Sequence, residues 1–239
     1  VLLWQFAVNA QNRFTQILPE NEYISTENEL KNFSSYDFSP VIFGLEMNRT
    51  YGVIGNTYKR IQIKITNVEK DVVNADVYHV TGKSKVGNNI ERFTGTIKLQ
   101  LIKQIKDRQL DEETVSLPTK YQGGISGVYQ FNEPKDRSHS GVFEGTYNAL
   151  FQITNDDIVF YNDLDLYRDS YINNVYQGFW TDYQTKEAKI CKWADFRVPD
   201  VSGDFDIGAG AFSPNEKYNN KGWQTYNDAY LKNDKSALA

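Results

Sequence analysis

The chain has 239 residues and a formal net charge of −5, and 40% of its residues are hydrophobic, with 16 Tyr and 14 Phe but a single Met. This composition excludes a disordered chain and favours one large β-rich domain or two small ones. Residues 1–120 carry 15 basic and 14 acidic side chains, whereas residues 121–239 carry 11 basic and 17 acidic ones. Because a polyanion needs a basic surface, we expect no nucleic-acid partner.

The chain begins with an apolar run, VLLWQFAVNAQ, in which Val8 and Ala10 occupy the −3 and −1 positions of a signal-peptidase site. We interpret residues 1–11 as the remnant of a signal peptide, and a first core strand or helix is the alternative. The first interpretation predicts a periplasmic or extracellular protein. No apolar stretch reaches the ~20 residues of a membrane-spanning helix, so no transmembrane segment is expected.

Next along the chain, the segment TENE from Thr26 to Glu29 fits a capping box and predicts a short N-terminal helix that ends near Phe33. Two later segments, KRIQIKITNV and FTGTIKLQLIKQI, alternate apolar and polar residues, which is typical of half-buried strands. The residues expected on their buried faces are Ile61, Ile63 and Ile65 in the first segment and Ile97, Leu99 and Leu101 in the second. Short Gly/Asn turns between these segments indicate an antiparallel meander.

The strand pattern is interrupted at residues 107–124, DRQLDEETVSLPTKYQGG, by charges, one proline and two glycines. We therefore predict a single β-rich domain, residues 12–239, in two halves (12–106 and 125–239) joined by this segment. Strand-like sequence resumes after residue 124, and the chain closes with GWQTYNDAYLK, a helical pattern whose shared face holds Trp223, Tyr226 and Tyr230.

An aromatic residue followed two positions later by glycine recurs inside strand-like sequence. The three instances are Phe93-Thr94-Gly95, Phe143-Glu144-Gly145 and Tyr176-Gln177-Gly178. Glycine within a strand marks a bulge, a bend or close approach of another backbone, as curled sheets require. The predicted fold is mainly β: an antiparallel meander that forms a barrel or two-sheet sandwich, with a short N-terminal helix and a C-terminal loop-and-helix cap. The meander resembles the small ligand-binding barrels of the lipocalin kind, which implies a fold but no function.

Cys191 is the single cysteine, and the only histidines are His79 and His139, so a disulfide within the chain and a Cys/His zinc site are excluded. Cys191 lies in the alternating segment AKICKWADF. We expect a buried, unreactive thiol that shares a strand face with Trp193.

The segment DVSGDFDIGAGAF, residues 200–212, combines three aspartates with three glycines. Its spacing matches neither an EF-hand loop nor a dinucleotide-binding fingerprint. We interpret it as a turn in which Gly208 or Gly210 has a positive φ and Asp204 or Asp206 accepts hydrogen bonds from backbone amides. The alternative is a calcium site formed by Asp200, Asp204 and Asp206. No other cofactor is predicted.

Large aromatic residues are concentrated in the acidic C-terminal half. Five of them are candidates for a ligand-binding surface: Trp180, Tyr183, Trp193, Trp223 and Tyr226. Aromatic planes beside amide and acid side chains suit sugars and other ring-containing ligands, although most such residues pack in cores.

These features predict an exported, non-enzymatic protein that binds a small ligand, a glycan or a basic protein partner through its acidic, aromatic-rich C-terminal half. Two alternatives stay open. One is a glycan hydrolase that uses an Asp pair, either Asp204 with Asp206 or Asp163 with Asp165. The other is an immunity or inhibitor protein whose acidic face matches a basic toxin or enzyme.

Overall fold

The computed structural model describes residues 24–45, 49–106, 119–163 and 169–232. The chain is mainly β, as predicted. Its strands are β1 Thr50–Ile54, β2 Lys59–Lys70, β3 Val77–Val86, β4 Asn89–Ile105, β5 Thr119–Asn132, β6 Gly141–Thr154, β7 Val159–Tyr161, β8 Asn173–Asp182 and β9 Ala188–Asp195. The helices are α1 Ser39–Phe43, a 3-10 helix Glu216–Lys221 and α2 Gln224–Leu231.

The strands form one antiparallel sheet that closes on itself. Their order is β5-β4-β3-β2-β1-β9-β8-β6-β7, and β5 also pairs with β6 along most of its length. Eight strands therefore form a ring, and β7 adds to β6 beyond the point where β8 ends its pairing. Apart from the inserted β7, each strand of the ring pairs with the next one in the chain, so the predicted meander forms an up-and-down barrel rather than a sandwich.

The segment predicted to join two halves contributes to this sheet. β5 begins at Thr119, before the predicted resumption of strand at residue 125, and Gln122 to Gly124 pair with β4 on one side and β6 on the other. The two glycines, Gly123 and Gly124, lie within the strand and do not end it. Within the described residues the sheet thus runs continuously from one sequence half into the other.

The alternating apolar residues face the barrel interior, as predicted for Ile61, Ile63, Ile97 and Leu99, which are all buried. A register shift between Leu99 and Leu101 changes the face of the later residues. Beyond this shift Leu101 is half-buried outside the main core, and Ile102 is buried in it, whereas half-buried Ile65 in β2 keeps the predicted face. A bulge adds one residue to one strand and reverses the side-chain alternation beyond it.

Stacked aromatic rings fill the middle of the barrel. Tyr176 stacks on Trp193 at 4.8 Å between ring centroids, and Tyr129 meets the same indole edge-on at 5.4 Å. Cys191 is fully buried in this core with Trp193, which confirms the predicted shared face. Burial raises the pKa of the Cys191 thiol well above its usual range, so the thiolate needed for reaction is disfavoured.

The three recurring glycines lie inside strands, where the sequence predicted them. Gly145 and Gly178 are paired across β6 and β8. A Cβ atom on Gly145 would overlap the carbonyl oxygen of Gln177, and one on Gly178 would overlap that of Glu144. Of the roles expected for glycine, close approach of neighbouring backbones is the one observed at this pair.

One end of the barrel is closed by residues 24–45, which we call the N-terminal plug. Phe33, Phe38, Val41 and Ile42 belong to the same buried cluster as the barrel interior. The predicted short N-terminal helix is present, but its predicted position from Thr26 to Phe33 is wrong, because residues 30–35 form turns and the α-helix is Ser39–Phe43. The Asn28 amide explains this difference, since it accepts from the backbone of Leu30 and Ile102 and so ties the segment to β4.

A buried carboxylate anchors the same end of the barrel. Asp195 accepts hydrogen bonds from Thr50 Oγ1 at 2.6 Å, Tyr161 Oη at 3.1 Å and Asn174 Nδ2 at 3.1 Å. Asn174 also donates to the carbonyl oxygen of Val41 at 3.0 Å. These bonds connect β1, β7, β8 and β9 to the plug, and we call them the Asp195 network.

Residues 198–231 pack on the outer face of β1 and form the predicted C-terminal cap. Their buried cluster includes Tyr51 and Val53 from β1, and the cap contributes Val198, Phe205, Phe212, Trp223 and Tyr226. This cluster is distinct from the barrel interior, so the domain has a second, smaller core on its outer surface.

Candidate functional site

A cavity of about 720 Å³ lies at the end of the barrel opposite the plug. Four connections surround it: β1 to β2, β3 to β4, β5 to β6, and β8 to β9. Its walls combine apolar and aromatic side chains with polar and charged ones, and the polar residues are the more numerous. The lining residues include Ile54, Lys59, Ser84, Val86, Glu133, Phe143, Trp180, Glu187 and Lys189.

Glu133 is one of the buried residues that line this cavity, and we call three of them, Ser84, Glu133 and Phe143, its floor. It directly follows β5, and its backbone N–H donates to the carbonyl oxygen of Gly141 at the start of β6. This hydrogen bond continues the antiparallel pairing beyond the last residue of β5. Glu133 therefore follows Tyr129 and Phe131 on the inward face, and its carboxylate points into the barrel.

Three donors converge on the Glu133 carboxylate. Ser84 Oγ donates to Oε1 at 2.5 Å. Trp180 Nε1 donates to Oε2 at 3.0 Å, and the backbone N–H of Gly141 donates to the same oxygen at 2.8 Å. Burial nevertheless raises the pKa of Glu133, because these donors compensate only part of the lost hydration. Among the described residues, Glu133 forms no ion pair.

The rim of the cavity carries charges of both signs. We define the rim as Lys59, Glu187 and Lys189. Lys189 Nζ lies 3.4 Å from Glu187 Oε2 and 5.6 Å from the centroid of the Trp180 ring. The side chains of Lys189 and Glu187 are 40% and 62% exposed, so water screens these charges far more than it screens Glu133.

The structure separates the five aromatic residues that the sequence grouped together. Trp180 lines the cavity and donates to Glu133. Tyr183 lies in the adjacent β8–β9 turn, where its hydroxyl contacts Asn132 Oδ1 at 3.3 Å. Trp193 stacks in the barrel interior, and Trp223 and Tyr226 are buried in the cap. Only Trp180 of this group therefore borders the cavity.

The three candidate calcium ligands make separate contacts. Asp200 accepts from Gln177 Nε2 at 2.8 Å, and exposed Asp204 contacts Lys217 Nζ and Tyr218 Oη. Asp206 is buried and pairs with Arg197 Nε at 2.5 Å. Within the part of the chain that the structure describes, no three His, Cys, Asp or Glu side chains are grouped to hold a metal ion.

The predicted turn is partly confirmed. Asp206 Oδ1 accepts from the backbone amides of Gly208 and Ser213, both at 3.1 Å. The prediction of a positive φ at Gly208 or Gly210 is wrong, since the positive φ in this segment, 49°, belongs to Asp200. Glycine is needed at Gly208 for space, because a Cβ atom there would overlap the carbonyl oxygen of Ala211.

Sequence reasoning missed Glu133 and Ser84. Both continue an inward alternation by one further step: Glu133 follows Tyr129 and Phe131 at intervals of two, and Ser84 follows Val80 and Gly82 in the same way. A polar residue at the next inward position of each strand is the sequence feature that could have identified them. Of the other proposed Asp pair, Asp163 is described and does not line the cavity, and Asp165 lies outside the described residues.

A comparison of the chain with protein-family models, with curated proteins and with solved structures gives no significant match. No helix in the described ranges combines the length and the apolar character needed to cross a membrane. Function must therefore be inferred from the geometry of the cavity itself.

Replacing Glu133 with glutamine is expected to raise the free energy of unfolding at neutral pH by about 1–2 kcal/mol, because it removes a buried charge that lacks a counter-ion. The amide oxygen can accept from Gly141 and Trp180, and the amide NH₂ can donate to Ser84. Because the pKa of Glu133 is raised in the folded state, the buried charge lowers the stability of the wild type at pH values above that pKa. At pH values below the unfolded-state pKa it has no such effect. The gain should therefore shrink on acidification in urea titrations, and a loss of stability at neutral pH would contradict it.

Proposed function

We propose that this protein is a non-enzymatic binding protein that holds a small ligand with both apolar and polar groups in the open mouth of the barrel. The observation that carries this proposal is the cavity of about 720 Å³ with the buried Glu133 at its floor. Small-molecule sites are concave, orient the ligand with convergent polar groups beside apolar and aromatic ones, and occur in the mouths of β-barrels.

The geometry favours a small molecule over the other predicted partners. A protein partner would need a broad exposed surface, whereas these polar and aromatic groups converge inside a concavity. Of the aromatic residues predicted from the sequence to bind a glycan, Trp180 borders the cavity, but it is only 8% exposed and Lys189 lies over its ring. Export from the cytoplasm and a basic partner for the acidic half remain predictions from the sequence.

We expect phenylnaphthylamine, an uncharged fluorescent probe, to bind in the mouth, and Val86→Trp to weaken this binding about tenfold or more by filling the cavity. Val86 lines the cavity at the end of β3 and is only partly buried, so a larger ring can enter the space without disrupting the core. Probe fluorescence in a titration with protein, together with energy transfer from tryptophan, measures the affinity.

The matched control is Val72→Trp. Val72 is 98% exposed and lies between β2 and β3, at the plugged end of the barrel. The control makes the same chemical change on the same scaffold, so it should leave the affinity within about twofold of the wild-type value. Equal binding by both variants, or no binding of the probe to the wild type, would reject the proposed function.

A further inference from the structure

We propose that the ligand carries a cationic hydrogen-bond donor, such as a primary ammonium group, and that this group binds at Glu133 and Ser84 on the cavity floor. The inference rests on the proposed function, since it names the class of ligand that the same cavity takes. It makes Glu133 the residue that determines specificity.

The floor presents acceptors because its donors are already used. The hydroxyl hydrogen of Ser84 is donated to Glu133 Oε1, which leaves only lone pairs on Ser84 Oγ. The indole N–H of Trp180 and the backbone N–H of Gly141 are both donated to Glu133 Oε2. Oε1 receives a single bond from the described residues and keeps further acceptor capacity. A ligand group that meets this floor must therefore donate.

The charge of the floor selects a cation among possible donors. Glu133 is 5% exposed and has no ion-pair partner in the described ranges, so its charge acts through a medium of low effective dielectric. Folding has already removed water from this carboxylate. An arriving ammonium group loses its own hydration but meets a counter-charge whose desolvation needs no further free energy.

The rim lysines oppose a cation only weakly. Lys59 is exposed, and Lys189 is 40% exposed and paired with Glu187. Exposed charges are screened by water and salt, whereas a buried, unpaired carboxylate is not. The alternative, an anionic ligand held by the two rim lysines, would place like charges together at the floor, and it predicts the opposite order of affinities.

Three probes with a common dansyl group distinguish these cases: dansylcadaverine with a terminal ammonium group, its uncharged N-acetyl derivative, and a dansyl-aminohexanoate of similar length. We expect dansylcadaverine to bind the wild type about tenfold more tightly than the N-acetyl derivative, and the carboxylate to bind most weakly. Glu133→Gln should reduce the ammonium preference to about one, because it keeps the shape of the floor and removes its charge.

The matched control is Glu69→Gln, the same chemical change on an exposed residue of β2 near the plugged end of the barrel, which should keep the ammonium preference within about twofold of the wild-type value. Binding of phenylnaphthylamine by Glu133→Gln shows that the mouth of that variant is intact. Equal affinities for the three probes, tighter binding of the carboxylate, or an ammonium preference that survives in Glu133→Gln would overturn the inference. If phenylnaphthylamine binds and no dansyl probe does, the inference fails and the proposed function stands. If no probe binds, both fail.

Discussion

Replacing Trp223 with alanine is expected to lower the free energy of unfolding by about 3–5 kcal/mol, as for other fully buried Trp side chains. Trp223 is 0% exposed at the centre of the cap, with Phe205 at 5.4 Å and Phe212 at 5.5 Å between ring centroids. Its indole N–H donates to the carbonyl oxygen of Tyr58 at 2.8 Å, and the Arg60 guanidinium lies 5.2 Å from its ring. Loss of the ring leaves a void and an unpaired carbonyl between the cap and the β1–β2 turn.

Trp223→Phe is the control for this prediction. Phenylalanine keeps an aromatic ring in the cluster and loses the hydrogen bond to Tyr58, so it should lower stability by about 1–2 kcal/mol. Guanidinium unfolding followed by tryptophan fluorescence and by circular dichroism measures both variants. A loss below about 1 kcal/mol in Trp223→Ala would contradict a packing role and revive the ligand-binding role predicted from the sequence.

Wild-type stability is expected to rise by about 2 kcal/mol relative to Asp195→Asn as pH falls from 7 to 4. Burial raises the pKa of Asp195 to about 6, while its three hydrogen bonds act in the opposite direction. A raised folded-state pKa means that the folded protein binds the proton more tightly than the unfolded chain. The stabilisation is therefore complete below the unfolded pKa near 3.8 and is lost as pH rises through 6.

The Asp195 network can accept the proton without losing its other bonds. A proton on Oδ1 can be donated to Thr50 Oγ1, since a hydroxyl both donates and accepts. The Asn174 and Tyr161 donors remain on Oδ2. Asparagine imitates this neutral state, so its stability should lack the Asp195 component of the pH dependence. Urea unfolding at a series of pH values measures the difference between the two proteins.

Asp204→Asn provides a control of opposite sign. Asp204 is exposed, and hydrogen bonding by Lys217 and Tyr218 lowers the pKa of its carboxyl group. Any stabilisation from Asp204 is therefore present at neutral pH and lost as pH falls. A constant difference between the wild type and Asp195→Asn across this range would show that Asp195 titrates normally and is more hydrated than its burial indicates.

The local pattern of the sequence predicted strands because each strand has one face against the core. Ile61, Ile63, Ile97 and Leu99 alternate with polar residues, and the interior of the barrel requires that alternation. Closure of the ring depends on the pairing of β1 with β9, the first and the last strands in the chain. That pairing sets register between distant segments, which no local pattern contains, so the sequence could not choose between barrel and sandwich.

The candidate site was harder to predict than the fold. Trp180, Trp193 and Trp223 are all large aromatic residues of the acidic C-terminal half, and the sequence does not distinguish them. Of the three, only Trp180 borders the cavity. Glu133 follows a strand and precedes Pro134, Lys135 and Asp136, surroundings typical of a solvated hairpin. Its burial depends on Ser84 and Trp180, which are distant in the chain and meet it only when the barrel closes.

The closed end of the barrel has a kinetic consequence for any molecule held in the mouth. Aromatic rings fill the middle of the barrel and the N-terminal plug covers the far end, so in the described structure the cavity is a cup with one opening. A ligand must leave by the path along which it arrived. A wider or narrower opening therefore changes the association and dissociation rates by the same factor. Residence time can then vary among variants of the rim while the equilibrium affinity, set at the floor, stays constant.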